Sequence, residues 1–286
     1  MKGIFEITGG SVAGARHAKT GKNNQDAFIW RQTDDLVIAI VADGCGSGRF
    51  SEIGAQIGAR LFINRLMKAM NHNHSIEPSL ELSRQLTLED LESLILKTAW
   101  RGERIKEHFQ HFLFTLVGTV ITPDQTILFH IGDGVVCENG KVAEIGPFSN
   151  NQPPYIAYGL IEQSPEGFSL KDLKFTIYFT GPTSEVQSIL IGTDGVVDLV
   201  KAEKEKIPGR DELVGSLSQF WENDLYFKNP DAVRRRLAIV NRESVKINWE
   251  EREVKKEEGL LPDDTTLVVI RRKNLSVCKT SEDERR

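Results

Sequence analysis

The chain has 286 residues, 40% of them hydrophobic, and a net charge of −5 from 41 acidic against 36 basic side chains. That length and apolar content suffice for a substantial core. The intermixed charges leave no basic face for nucleic acid, and no apolar stretch approaches the roughly 20 residues needed to cross a bilayer. The first ten residues lack the apolar stretch of a secretion signal. The three cysteines, Cys45, Cys137 and Cys278, show no paired spacing of a zinc site or disulfide framework, so a cytoplasmic protein that touches neither membrane nor nucleic acid is expected.

In chain order, apolar runs predict strands over 4–8, 27–30 and 36–42. A helix then begins at Ser51, with Ile53, Ile57 and Leu61 at four-residue spacing, and Thr87 is expected to cap a second with Leu88, Leu91, Ile95, Ile105 and Phe109. Strands follow over 116–121, 126–131 and 135–138. Segment 147–173, with Pro147, Pro153, Pro154 and Pro165, reads as a long surface excursion of the kind that often carries function. Strands over 175–179 and 189–193 come next. Two more helices are expected, one marked by Leu213, Leu217 and Phe220, the other opened by Asn229-Pro230 with Val233, Leu237 and Val240 on one face. Residues 243–258 are dense in Glu, Lys and Arg around Ile247 and Trp249 and read as a solvated helix face. A last strand covers 266–270. Without internal repeats or linkers, residues 1–272 are expected to form one domain, and 273–286 a charged, disordered tail.

Three strand-like runs end in Asp-Gly, at Asp43-Gly44, Asp133-Gly134 and Asp194-Gly195, and the run at 265–270 begins just after Asp263 and Asp264. One Asp-Gly alone is an ordinary turn signal. Repetition at strand ends is different, because strands packed side by side would bring several carboxylates to one end of a sheet core. There they repel one another unless a cation neutralises them, which predicts an oxygen-ligand metal centre. The glycine-rich stretch 44–48 lacks the Lys-Ser/Thr of a nucleotide cradle, and Cys45 and Arg49 are too close for a cysteine-dependent phosphatase loop, so Cys45 is read as a small packed side chain. His72, His74, His108, His111 and His130 show no zinc-ligand pattern.

Five ordered pieces, AsnAsnGlnAspAla at 23–27, ValAlaAspGlyCysGlySerGly at 41–48, Gly118-Thr119 leading to IleGlyAspGly at 131–134, GlyThrAspGly at 192–195 and AspAspThrThrLeuValVal at 263–269, resemble the type 2C metal-dependent (PPM) serine/threonine protein phosphatases. The resemblance runs from about Gly14 to Arg272. It implies an α+β fold, a four-layer αββα sandwich with two central antiparallel sheets flanked by helix pairs. It also implies hydrolysis of phosphoserine or phosphothreonine in proteins by a metal-bridged water at a binuclear Mn²⁺ or Mg²⁺ centre, with a third, looser ion. By the same resemblance Asp43 bridges the metals with the Gly44 carbonyl as a further ligand, Asp194 and Asp263 are direct ligands, Asp26 serves the second metal through water, Asp133 serves the looser site, and Asp264 stands behind the ligands. Hard divalent cations prefer such oxygen donors. Two features depart from much of the family. Its phosphate-binding Arg and first-motif Glu fall here on Gly21 and Gln25, as in a bacterial branch with Gln-Asp, and the His after its Asp-Gly is Cys45. His17, Arg16 and Lys22 are the candidates for the phosphate contact. The expected partner is a phosphorylated protein from kinase signalling; the alternatives are a catalytically silent relative that binds a phosphoprotein, or a hydrolase of small phosphorylated metabolites.

Overall fold

A computed structural model describes residues 1–48, 50–72, 75–98, 108–161, 168, 173–250 and 252–273. The expectations for Ile105, Pro165, Cys278 and residues 274–286 lie outside that range.

Ten strands form two antiparallel five-stranded sheets. In the first, β1 (Phe5–Val12) pairs with β12 (Thr265–Arg272), followed by β9 (Ser188–Gly192), β6 (Gly134–Glu138) and β7 (Lys141–Ile145). In the second the order is β2 (Asp26–Gln32), β3 (Val37–Asp43), β4 (Leu116–Ile121), β5 (Gln125–Ile131) and β8 (Thr176–Pro182). The nine strands expected from sequence are all present, with altered ends; β7 is additional, and its exposed, mixed composition hides its period.

Side-chain alternation explains how the layers hold together. Along β3, Ile38, Ile40 and Ala42 pack under α2 (Ser51–His72) and α3 (Ile76–Thr98), whereas Val37, Ala39 and Val41 pack toward the other sheet against Ile189, Ile191, Val268 and Ile270. On the far side, Leu190, Leu267 and Val269 meet α4 (Gly195–Lys201) and α7 (Ala232–Val240) through Val196, Leu199, Val233 and Leu237, with α5 (Gln219–Glu222) and α6 (Leu225–Lys228) contributing Phe220 and Tyr226. Three apolar clusters thus fill the three gaps of an αββα sandwich. Strands covered on both faces need apolar residues on both, which is why β3 reads as one uninterrupted run.

Several local expectations change. In α2 the buried stripe is Ala55, Ala59, Phe62, Ile63 and Leu66, while Ile53 is exposed, because the glycines Gly54 and Gly58 let that side of the helix sit against His111 and Phe114. Thr87 lies inside α3 rather than at its start; its hydroxyl donates to the Ser83 carbonyl one turn back. Leu213 lies in an irregular segment bridged to Lys206, and only Gln219–Glu222 is helical there. Residues 243–258 form a two-stranded hairpin, β10 (Ser244–Asn248) and β11 (Glu253–Glu257), not a helix: Val245, Ile247 and Val254 lie on one face of it, a period of two hidden by the flanking charges. Among the described residues no helix is long and apolar enough to cross a membrane.

Candidate active site

Asp26 and Asp43 are directly opposite each other in the β2–β3 ladder. They continue the rows Phe28–Trp30 and Val37–Val41 that face the other sheet, so two carboxylates occupy the last rung of the intersheet core where apolar residues precede them. Like charges in that position oppose each other. The ends of the other sheet's strands add three more: Asp133 on the connection from β5 to β6, Asp194 between β9 and α4, and Asp263 just before β12. Two glycines permit the approach. A Cβ on Gly195 would stand 2.0 Å from the Asp264 carbonyl oxygen, and one on Gly44 would stand 2.7 Å from the carbonyl oxygens of both Gln25 and Ser51.

The electrostatic result is a group of acids that resist ionisation. Asp26 is pushed up to about 8 by burial and then by Asp264, against the lowering hydrogen bonds from Thr266 and Thr193, the latter's hydroxyl donating at 2.8 Å. Asp194 is pushed up to about 7 by burial, Asp133 and Asp263. Burial raises Asp43 well above the usual carboxylate range, with Asp26, Asp194, Asp133 and Asp263 adding to it, and burial raises Asp133.

Asp43, Gly44, Asp133, Asp194 and Asp263 line one cavity of about 400 Å³, together with His17 and Gln25. Asp26 is not among its lining residues and opens instead onto a neighbouring pocket beside Arg60. The donor set fits hard cations: it is all oxygen, and Asp26 Oδ1 and Gln25 Oε1 are both buried with no hydrogen-bond partner. The Gln25 amide is fixed from its other end, where it donates to Ser51 Oγ at 2.6 Å. Asp264 ties the site to the chain around it. Its two oxygens accept from the Gly14 and Gln25 amides at 2.7 and 2.6 Å, holding the first motif against the last.

Of the three candidate phosphate contacts, His17 alone lines the cavity. It sits on α1 (Ala15–Thr20) with Nδ1 2.9 Å from Asp264 Oδ1, in ion-pair range but not aligned as a hydrogen bond. His17, Asp263 and Asp264 also place ligand atoms within 4.8 Å of one another. Arg16 is exposed and not among the lining residues, and the exposed Lys22 ammonium donates to the Gly46 carbonyl at 3.1 Å.

The sequence marks the 147–173 excursion through its prolines but assigns none of its residues to the site. The structure brings Asn150, Gln152, Pro153 and Tyr155 from that excursion into the cavity wall. Tyr155 is 7% exposed, its ring meets Tyr158 edge-on at 5.3 Å, and Cys45 packs against the pair. Burial, Cys45, Asp43 and Asp133 push its phenol far up, so the hydroxyl keeps its proton. An aromatic following two prolines in a polar stretch was the available signal.

No match is found among curated protein sequences. Solved structures give the fold. PppA, described as a key regulatory component of T6SS in Pseudomonas aeruginosa, superposes with a TM-score of 0.54 at 17% identity, covering 94% of this chain and 98% of that one. The catalytic domain of the serine/threonine phosphatase PstP, solved with two manganese ions, gives 0.52 at 15% identity over 95% and 99%. A bacterial serine phosphatase, solved as a point variant, gives 0.51 at 11% identity over 94% and 99%. At such identities the likeness speaks for the fold alone, but a family model matches residues 13–237, a span that takes in four of the five motif pieces and four of the five strand-end carboxylates. Sheet order, carboxylate placement and that match agree, and the chain belongs to the protein phosphatase 2C family.

Proposed function

We propose that the protein hydrolyses phosphoserine and phosphothreonine in proteins in a reaction dependent on divalent cations. The observation that carries this is the Asp26–Asp43 pair at the end of the intersheet core, joined by Asp133, Asp194 and Asp263. Such a group is destabilising as a packing solution and useful as a cation cradle. The two manganese ions in PstP support the same reading.

Asp43, Asp194 and Asp263, with the Gly44 carbonyl, hold two Mn²⁺ or Mg²⁺ ions, Asp26 serves the second from the rung beside Asp43, and Asp133 serves a third position. When bound, these ions lower the pKa of water and offset phosphate charge. The chain's own residues do the rest. Asp264 holds the Gly14 and Gln25 amides, which fixes the first motif relative to Asp263. His17 presents its imidazole to the cavity as a phosphate contact. Gln25 contributes a neutral amide oxygen where a carboxylate would add charge. The substrate is a protein phosphorylated by a kinase.

Turnover of phosphoserine peptides with and without Mn²⁺ tests the reading, beside a panel of phosphorylated metabolites. EDTA should abolish activity and thiol alkylation should largely spare it. Activity that persists without divalent cations refutes the proposal, a preference for metabolites moves the substrate class, and cation binding without turnover on either panel makes the chain a silent phosphoprotein binder.

A further inference from the structure

Phosphoryl transfer proceeds with the attacking and departing oxygens roughly in line, so the departing oxygen lies on the side of phosphorus away from the attacking water. The carboxylates that hold the cations account for one part of the cavity lining. The remainder is His17 and Gln25 with neutral groups from the Cys45–Ser47 loop and the excursion carrying Asn150, Gln152 and Tyr155. A serine alkoxide is a poor leaving group. Its departure is eased by a fixed hydrogen-bond donor aimed at the oxygen on which charge develops, and a donor already in place needs no reorganisation.

Ser47, Asn150 and Gln152 are exposed, so their donors are shared with solvent. Gln25 is buried, but its amide already donates to Ser51. Tyr155 differs from all of these. Its ring is buried in a small cluster with Tyr158 and Leu173, and Cys45 packs against that cluster. Tyr155 lines the cavity together with Cys45, whose sulfur lies 3.3 Å from Ser47 Oγ.

We propose that Tyr155 is a catalytic hydrogen-bond donor to the departing serine or threonine oxygen. This rests on the phosphatase reading above. The phosphorus–oxygen ester bond breaks, the oxygen of one water joins phosphorus, and one of that water's protons ends on the serine oxygen. Tyr155 keeps its own proton throughout and stabilises the charge while it is there.

The test compares two leaving groups in the Mn²⁺-loaded protein. Nitrophenolate departs from p-nitrophenyl phosphate without help, whereas serine does not. Tyr155→Phe should lower kcat on a phosphoserine peptide by about 10- to 100-fold and leave kcat on p-nitrophenyl phosphate within about threefold. Across a series of substituted phenyl phosphates its rate should depend more steeply on leaving-group basicity than the parent's. Tyr158→Phe, next to it in the same cluster, should show no such split between substrates. Equal losses on both substrates, no loss on either, or an unchanged dependence on leaving group each overturn the proposal. So does a Tyr155→Phe protein that melts below the assay temperature, since the hydroxyl is then a packing group. A parent that hydrolyses neither substrate removes the phosphatase reading itself, which the parent alone reveals before any variant is made.

Discussion

Stripping divalent cations and raising the pH from 5 to 8.5 should weaken the fold, and Asp26→Asn should restore part of what is lost. Asp26 is held up to about 8 and Asp194 up to about 7, against an ordinary value of 3.8, so the folded chain keeps protons that the unfolded chain releases. Stability therefore suffers nothing from these groups below about pH 4, declines as the pH rises, and reaches its floor above the folded values near 8. For Asp26 alone the difference of about 4 units corresponds to an upper bound of about 6 kcal/mol. Protons retained by Asp43 and Asp194 relieve part of that, and Asn keeps an acceptor for the Thr193 hydroxyl. A realised gain of about 3 kcal/mol would raise the melting temperature by about 5–10 °C at pH 8.5. Thermal melts in chelator at pH 4, 5, 6, 7 and 8.5 measure it: the parent should lose stability across the series, the variant should lose less because Asp43 and Asp194 still hold protons that the unfolded chain releases, and the two should converge near pH 4. A parent whose cation-free stability holds or rises between pH 6 and 8.5, or a variant destabilised equally at every pH, would refute the reasoning.

Asp43→Ala and Asp194→Ala should each cut phosphopeptide turnover by more than about 100-fold while leaving the cation-free fold as stable as the parent's or more so. Mn²⁺ should then raise the parent's melting temperature more than either variant's, since only binding to the folded state is stabilising, and equal shifts would remove these residues from the centre. Gln25→Glu adds a charge at a buried oxygen that has no partner, so it should lower the Mn²⁺ concentration for half-maximal activity; an unchanged titration shows that the side chain stands clear of the cations. His17→Ala should raise KM for phosphopeptide severalfold with little change in the Mn²⁺ titration, and an unaltered KM rules it out as the phosphate contact.

The carboxylates were legible in sequence because the chain repeats one device, an apolar strand closed by Asp-Gly, and the strands beside them because burial on both faces leaves an unbroken apolar run. Elements whose signal is diluted were not. Ile53, Ile57 and Leu61 have helical spacing, yet α2 buries the neighbouring stripe, since backbone approach at Gly54 and Gly58 decides the contact and glycine carries no hydropathy. The hairpin of β10 and β11 was read as helix because its glutamates and lysines mask alternation on so short a strand. Asp26 could be placed near Asp43 only through the family resemblance, because their pairing depends on ladder register, which a spacing of 17 residues does not reveal. Tyr155 stayed unnamed for a similar reason: a residue on an irregular excursion has no period to follow, and where the excursion folds back is settled by packing against Cys45 and Tyr158.

The position of β12 bears on how the molecule comes into being. Among the described strands it is made last, and it lies between β1, the earliest of them, and β9. A growing chain therefore carries β1 for about 250 residues of synthesis with its partner still to come, at an elongation rate of about 5–20 residues per second. Asp263 arrives with that same strand. The nascent protein can assemble the sheet of β2 to β5 and β8 and bury its helices, yet it has neither a finished first sheet nor a complete cation cradle until β12 is made. Contacts of such long range make closure slow. A product cut short of β12 lacks the strand that joins β1 to β9, and Asp263 is lost with it.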